Sequence, residues 1–553
     1  MADIKELMQV RKDKMQKIKD HGISVRPERY EKTHTIKDAR NLADGTKNVS
    51  IAGRIMSKRK LGKISFLDLQ DLQGHLQLCI KRDDLGEETY KFLHETVDIG
   101  DFIGVKGDIF TTEAGEKTLQ VYEYTFLGKA FRPLPEKFHG ITDTEAVYRE
   151  RHLDLIMNDD SKKRFILRTK LIRLMREFLD NHGFLEVDTP VLQNTASGAT
   201  ARPFITHHNA LDMDVYLRIS PELTLKKLII GGFEHVYEIA RDFRNEGMDA
   251  NHLQDFTMVE GYSAYWCYKD NMKFLREMII YILDKLFDGN LKLQLGGQEV
   301  DFGGEWPAVS FRDLILQDCG IDIDKYSTAQ ELLAEINRQG IKLEADNLEN
   351  LGRGNLIDTL YKKVSRPKII NPTYLTKHPL DLSPLARSND ENPQITDRFQ
   401  LVVNGQEIIN GYSELVDAEE QEQRLLEQSK LKAEGDEEAM SIDTEYIRAM
   451  EYGMPPISGW GLGIDRFLQF LTNSDNIRDV GWFLESNYHG MGYGSEVAKA
   501  VLDYMFKKVQ IDKIETCVAT DNIASWKVIE KLGFHRTGKI KKVKYTILPE
   551  EVD

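Results

Sequence analysis

Hydrophobic and polar positions divide the chain into stretches of different period. Residues 4–22, "IKELMQVRKDKMQKIKDHG", place Leu7, Val10, Met15 and Ile18 roughly on one side of a helix, with lysines and acids around the rest. Such a helix either packs on the next domain or turns its basic side chains to RNA. From about 48 to 128 the period falls to two, in "VSIAGRIMSKR", "ISFLDLQDLQGHLQLCIKR" and "DFIGVKGDIFTTEAGEKTLQVYEYTFL". Turns at "LQG", "VKGD" and "EAGE" predict a small closed five-stranded barrel, an architecture often used to read single-stranded nucleic acid. "RPLPEKFHG" is a proline-broken linker.

Residues 146 to about 480 alternate long helices with strands, which predicts an α+β domain on a large sheet. A more polar stretch, 308–370, reads as a helical insertion, and "AEEQEQRLLEQSKLKAEGDEEA" as a solvated helix and loop. The expected division is an N-terminal helical extension (1–45), the barrel (46–130), a linker (131–145), the large domain (146–480) and a tail (481–553). In the tail a glycine-rich loop precedes an amphipathic helix, where a phosphate could sit on the helix N-terminus.

Composition narrows this picture. At 553 residues the chain needs several cores. A net charge of −16 argues against wholesale nucleic-acid coating but leaves room for a local basic groove. The four cysteines, Cys79, Cys267, Cys319 and Cys517, have neither zinc nor redox spacing, which fits a reducing cytoplasm. No apolar run reaches membrane-spanning length, so no membrane partner is expected.

The densest chemistry lies in "VYEIARDFRNEGMDANHLQDFTMVEGYSAY". Arg244 and Glu246 follow an apolar strand, His252 and Phe256 follow a polar loop, and Glu260 and Tyr262 alternate onto one face of a second strand. An arginine there can clamp a phosphate bidentately, and a phenylalanine offers a flat face to a purine. Taken alone, the same residues could form a buried ion-pair hairpin. "GQEIINGYSEL" adds Glu407, Asn410, Tyr412 and Glu414. In "SGWGLGIDRFL", Gly459, Gly461 and Gly463 leave one strand face bare for a ligand, beside Arg466.

These stretches resemble the three signature motifs of class II aminoacyl-tRNA synthetases, specifically the lysine-specific family. "GFLEVDTPVL" is similar to motif 1, "FRNEG…HLQDFTMVE" to motif 2 and "GWGLGIDRFLQFLTNSDNIRDV" to motif 3, and "ARPF", "SPE", "SPLARSNDENP" and "NGYSEL" also match. The resemblance implies an OB-fold barrel that binds the anticodon, a catalytic domain on an antiparallel sheet, and a homodimer through motif 1 with Pro190 at its interface. It implies ATP as co-substrate, with Arg244 on the α-phosphate, Arg466 on the γ-phosphate, Phe256 stacked on adenine, and Glu246 and His252 holding base and triphosphate. Lysine would be held by Glu222 and Glu260 at its α-amino end and by Tyr262 and Glu414 at its ε-ammonium, with Asn410 and Tyr412 shaping the pocket. Mg²⁺ would be held by Glu407, Glu414 and position 400, where this chain has Gln400 in place of the family's usual glutamate. In the barrel, Phe66, Gln77 and Glu123 match positions that read the anticodon of lysine tRNA, with Lys58 and Arg59 near its phosphates.

The last 70 or so residues are similar to the second half of a GNAT-superfamily N-acetyltransferase, a partial α/β segment. That resemblance implies acetyl-CoA binding through His489, Gly490, Gly492, Gly494 and Asn522, and an alternative acetyltransferase activity. The first half of such a domain, which carries much of the acceptor site, has no counterpart here.

Overall fold

The computed structural model describes residues 4–135, 144–195, 198–199, 201–247, 250, 252–343, 348, 351–433, 440–480, 514–519, 535–539 and 542–547. The chain divides into two units, Met1–Ile141 with Leu153–Gly481, and Thr142–His152 with Trp482–Asp553.

In the first unit the period-two region closes into a five-stranded barrel. Its strand order is Val49–Leu61, Ile64–Asp71, Gly74–Lys81, Lys117–Gly128 and Phe102–Thr111. Inward positions such as Ile51, Leu67, Leu78, Val105 and Leu119 are fully buried, so alternation along each strand supplies the core. The helix Ile4–Asp20 joins this core through Ile18, and its Lys14 pairs with Asp98 at 2.5 Å. Leu7 and Val10 stay exposed, so only the C-terminal end of the apolar stripe is buried.

The large domain is built on an eight-stranded, largely antiparallel sheet. Its order is Ala308–Ser310, Thr373–Thr376, Arg398–Val403, Gln406–Ser413, Ile457–Gly463, Asp255–Ala264, His235–Phe243 and Leu185–Glu186. Two long helices, Asp159–Asn181 and Tyr268–Leu286, cover one side with Leu171, Phe178, Phe274 and Ile282. The 308–370 stretch does form helices, around its own buried cluster of Phe311, Ile336, Leu356 and Leu360.

The charged run is not simply a solvated helix. The helix Ala418–Ala433 buries Leu425, and Arg424 donates to the Ala386 carbonyl at 2.8 Å and to Ser388 Oγ at 2.7 Å. It therefore braces the segment 382–388, several residues of which face the cavity described below. In the second unit, Ile514–Ala519, Lys542–Ile547 and His535–Lys539 form a three-stranded antiparallel sheet in that order.

Candidate functional site

One cavity of about 420 Å³ opens on the large sheet. Its floor is set by strand register. Asp255–Ala264 and Gln406–Ser413 flank Ile457–Gly463, so that Gly459 lies between Tyr262 and Tyr412, and Gly461 between Glu260 and Asn410. A Cβ on Gly459 would collide with the Tyr262 ring and Glu414 Oε1; one on Gly461 would lie 2.9 Å from Met258 Cε. At Gly459 the bare strand face is thus occupied by the cavity's own side chains, whereas at Gly463 a Cβ would meet only Arg466 Cβ at 3.8 Å and the face stays open to the cavity.

At one end the cavity is lined by Arg244, Glu246, His252, Phe256 and Arg466. The Arg244 guanidinium lies 5.0 Å from the Phe256 ring centre, and its Nε donates to the Ile219 carbonyl at 3.4 Å. Arg466 sits in the first turn of the helix Ile464–Leu471, and among the described residues no carboxylate pairs with it. Its neighbour Asp465 accepts from the Thr257 N–H at 2.6 Å and pairs with Arg168, fixing helix to strand. This end can stack a planar base and hold an anion between two cations.

The other end is acidic and closed. Ser220 donates to Glu260 Oε1 at 2.8 Å, Tyr262 to Glu260 Oε2 at 3.1 Å and Tyr412 to Glu222 Oε1 at 2.8 Å. Burial, with Asp242 and Glu222 nearby, pushes Glu260 up to about 8. Asp242 behind it is pushed up to about 7, chiefly by burial, against the pull of Arg218 and Arg244. An uncompensated carboxylate in such a place favours protonation or a cationic partner.

One cation is resident. Lys226, completely buried, lies 2.6 Å from Glu222 and 2.5 Å from Glu414. Burial opposes its charge, but the two carboxyls overcome this and raise it above the ordinary lysine range. Sequence reading missed Lys226, although it stands four residues after Glu222 on the helix Glu222–Ile230, a spacing that brings side chains together. It also missed Ser220, Asp465 and Arg398, which donates to Asn410 Oδ1 at 2.9 Å and the Leu382 carbonyl at 2.7 Å.

The expected metal ligands are not gathered. Glu407 lines the cavity. Glu414 instead faces Lys226, and Gln400 turns its amide nitrogen to Glu407 Oε2 at 2.9 Å. Among the described residues no three His, Cys, Asp or Glu side chains cluster as a metal site. Glu407 fits one hard cation through its remaining lone pairs; the three-residue set does not.

In the barrel, half-buried Phe66 and Gln77 and exposed Arg59 stand on three adjoining strands, with Arg59 opposite Phe66 and Gln77 beside Thr118. Two expected members have partners within the barrel. Glu123 pairs with Lys106 at 2.8 Å, three residues beyond Gln120, which stands beside Cys79 opposite Phe66. Lys58 turns inward and donates to the Val97 and His94 carbonyls at 2.7 and 3.3 Å, closing the end of the helix Glu87–Thr96. Its ammonium is thus engaged by backbone carbonyls, and burial pulls it down to about 8. His489, Gly490, Gly492, Gly494 and Asn522 lie outside the described residues.

Comparison with known proteins bears on all three regions. Residues 143–487 match the family of tRNA synthetases class II (D, K and N), and 49–127 match the OB-fold nucleic acid binding domain. Residues 457–534 match the acetyltransferase (GNAT) family, though 457–471 form the central strand and helix of the synthetase sheet. The lysine–tRNA ligase of Aquifex aeolicus is 46% identical over 82% of this chain and 75% of its own length. Those of Pelotomaculum thermopropionicum and Thermotoga maritima are 45% and 44% identical, each over 86% of this chain and 94% and 95% of theirs.

Proposed function

The chain belongs to the class II tRNA synthetases, alongside the lysine–tRNA ligases, and from that premise we propose how its cavity works. It activates L-lysine with ATP to lysyl-adenylate and transfers the lysyl group to the 3′ end of lysine tRNA. The observation that carries the choice of amino acid is the acidic lining of Glu222 and Glu260 with Tyr262 and Tyr412, backed by the buried Glu414. Three carboxyls stand there against the single ammonium of Lys226, so the side-chain ammonium of a lysine substrate is accommodated, whereas an aspartate side chain would add a further carboxylate.

Adenine stacks on Phe256, and Arg244 and Arg466 take the phosphates from opposite sides. The lysine carboxylate then attacks the α-phosphorus in line as pyrophosphate leaves. This step needs position and charge neutralisation more than a proton acceptor. A Mg²⁺ ion on Glu407 would offset phosphate charge when bound. The tRNA partner engages the barrel through Phe66 and Gln77, which suit stacking and edge recognition of unpaired bases. A second copy of the chain is supported by Leu185, Leu192 and Ile205, 53%, 49% and 61% exposed in and around "GFLEVDTPVL". Among the described residues no helix is long and apolar enough to cross a membrane. Our placement of the enzyme in the cytoplasm rests on the scattered cysteines, which suit a reducing compartment.

Lysine binding should release a proton. Glu260, at about 8, holds its proton in the free enzyme at neutral pH, and the substrate's α-ammonium favours the ionised form. Affinity should therefore climb from pH 6 to 8, by up to about tenfold per unit, and level off above. Calorimetry in buffers of different ionisation enthalpy would detect the proton; equal affinity at pH 6 and 8 with none released would refute the linkage.

Aminoacylation of lysine tRNA tests the whole assignment. The full chain and a version ending at residue 485 should charge it at comparable rates, because every residue placed above lies upstream. A collapse of charging in the shorter chain would give the tail a part in catalysis. The alternative, acetyl transfer by the tail, would show as acetyl-CoA binding by the full chain.

A further inference from the structure

Glu407, which lines the cavity, heads a row of three side chains with Gln400 and His378 buried behind it. Gln400, on the strand Arg398–Val403, is 8% exposed and His378 only 1%. Gln400 Nε2 lies 2.9 Å from Glu407 Oε2, and Gln400 Oε1 lies 3.2 Å from His378 Nε2. The direction of the chain of bonds follows from chemistry. A carboxylate only accepts, so the amide must give Glu407 its N–H. The amide oxygen is left for His378, whose Nε2–H donates to it.

Two consequences follow for a divalent ion. Such an ion takes oxygens, not an N–H, so the face that Gln400 shows to Glu407 cannot ligate it. One Glu407 oxygen is also already engaged. With glutamate at 400, two carboxylates would stand about a hydrogen bond apart, an arrangement that repels unless a cation lies between them. Gln400 supplies internally what that cation would supply.

We infer that Gln400 is a positioning residue that replaces a protein-held divalent ion: it fixes Glu407 by an N–H bond, and the nucleotide cavity binds one ion fewer than it would with a carboxylate at this position. The inference rests on the reading of the cavity as an ATP site.

The test counts Mn²⁺ by electron paramagnetic resonance in the full-length protein with lysine and a non-hydrolysable ATP analogue, nucleotide occupancy being measured separately. Gln400→Glu should bind one more Mn²⁺ per cavity than the natural chain at equal occupancy. Its melting temperature should fall in EDTA and recover with Mn²⁺, while that of the natural chain responds less. Gln400→Met, which has neither donor nor ligand oxygen, should keep the natural Mn²⁺ count. An equal count in Gln400→Glu and the natural chain would overturn the inference, as would loss of an ion in Gln400→Met. Failure of the natural chain to bind the nucleotide would sink the cavity reading, and this inference with it.

Discussion

Replacing Arg466 by alanine should lower lysine-dependent ATP–pyrophosphate exchange by about 10³-fold or more, an effect typical of removing an arginine from a phosphoryl-transfer site. Arg466 has no carboxylate partner among the described residues, so its charge is not used to hold the fold together. It is presented by the first turn of Ile464–Leu471, and that helix is pinned independently by Asp465 to Thr257 and Arg168. The melting temperature should therefore change little. Arg466→Lys should recover part of the rate, since it restores a point charge without the planar fork. Normal exchange by the alanine variant would remove Arg466 from the site.

Glu414→Gln should raise the lysine concentration for half-maximal exchange about 10²- to 10³-fold, the scale expected when one member of a buried charge pair is neutralised. The carboxyl is buried, Lys226 stands 2.5 Å away, and Gly459 allows it to lie against the strand. Neutralising it leaves a lysine substrate facing a resident ammonium with less negative charge between them. The effect should fall on lysine and spare ATP, because Glu414 is grouped through Lys226 with Glu222 and lies beside Gly459 with Tyr262, not with the phosphate-side arginines. Equal losses for both substrates would point to general collapse. Tyr262→Phe, which removes only a hydroxyl donated to Glu260, should give a smaller loss confined to lysine.

The barrel, the sheet strands of motifs 2 and 3 and their facing pairs were legible because alternation alone decides which face a residue takes. Glu260 and Tyr262 therefore reach the same cavity as Gly459 and Gly461 without any knowledge of the rest of the chain. What escaped depends on contacts between distant segments. Lys58 reads as a surface cation, yet its ammonium finds the carbonyl end of a helix that starts 29 residues later. Arg424 lies in a run of charges, and only the folded segment 383–388 shows it a ring of carbonyl and hydroxyl acceptors. Gln400 is visible as an amide in place of a carboxylate, but the direction of its bonds depends on His378, 22 residues away. Gly459 shows the converse: the bare strand position is legible, and its filling by Tyr262 and Glu414 is not.

The most direct test of the account is pyrophosphate exchange by the purified full-length chain, measured with each of the twenty amino acids in turn. The acidic end of the cavity predicts ATP–pyrophosphate exchange with lysine and none of comparable rate with aspartate, asparagine or any other. Exchange driven by an acidic or neutral amino acid, or none with lysine while a known lysine–tRNA ligase responds in the same assay, would contradict it.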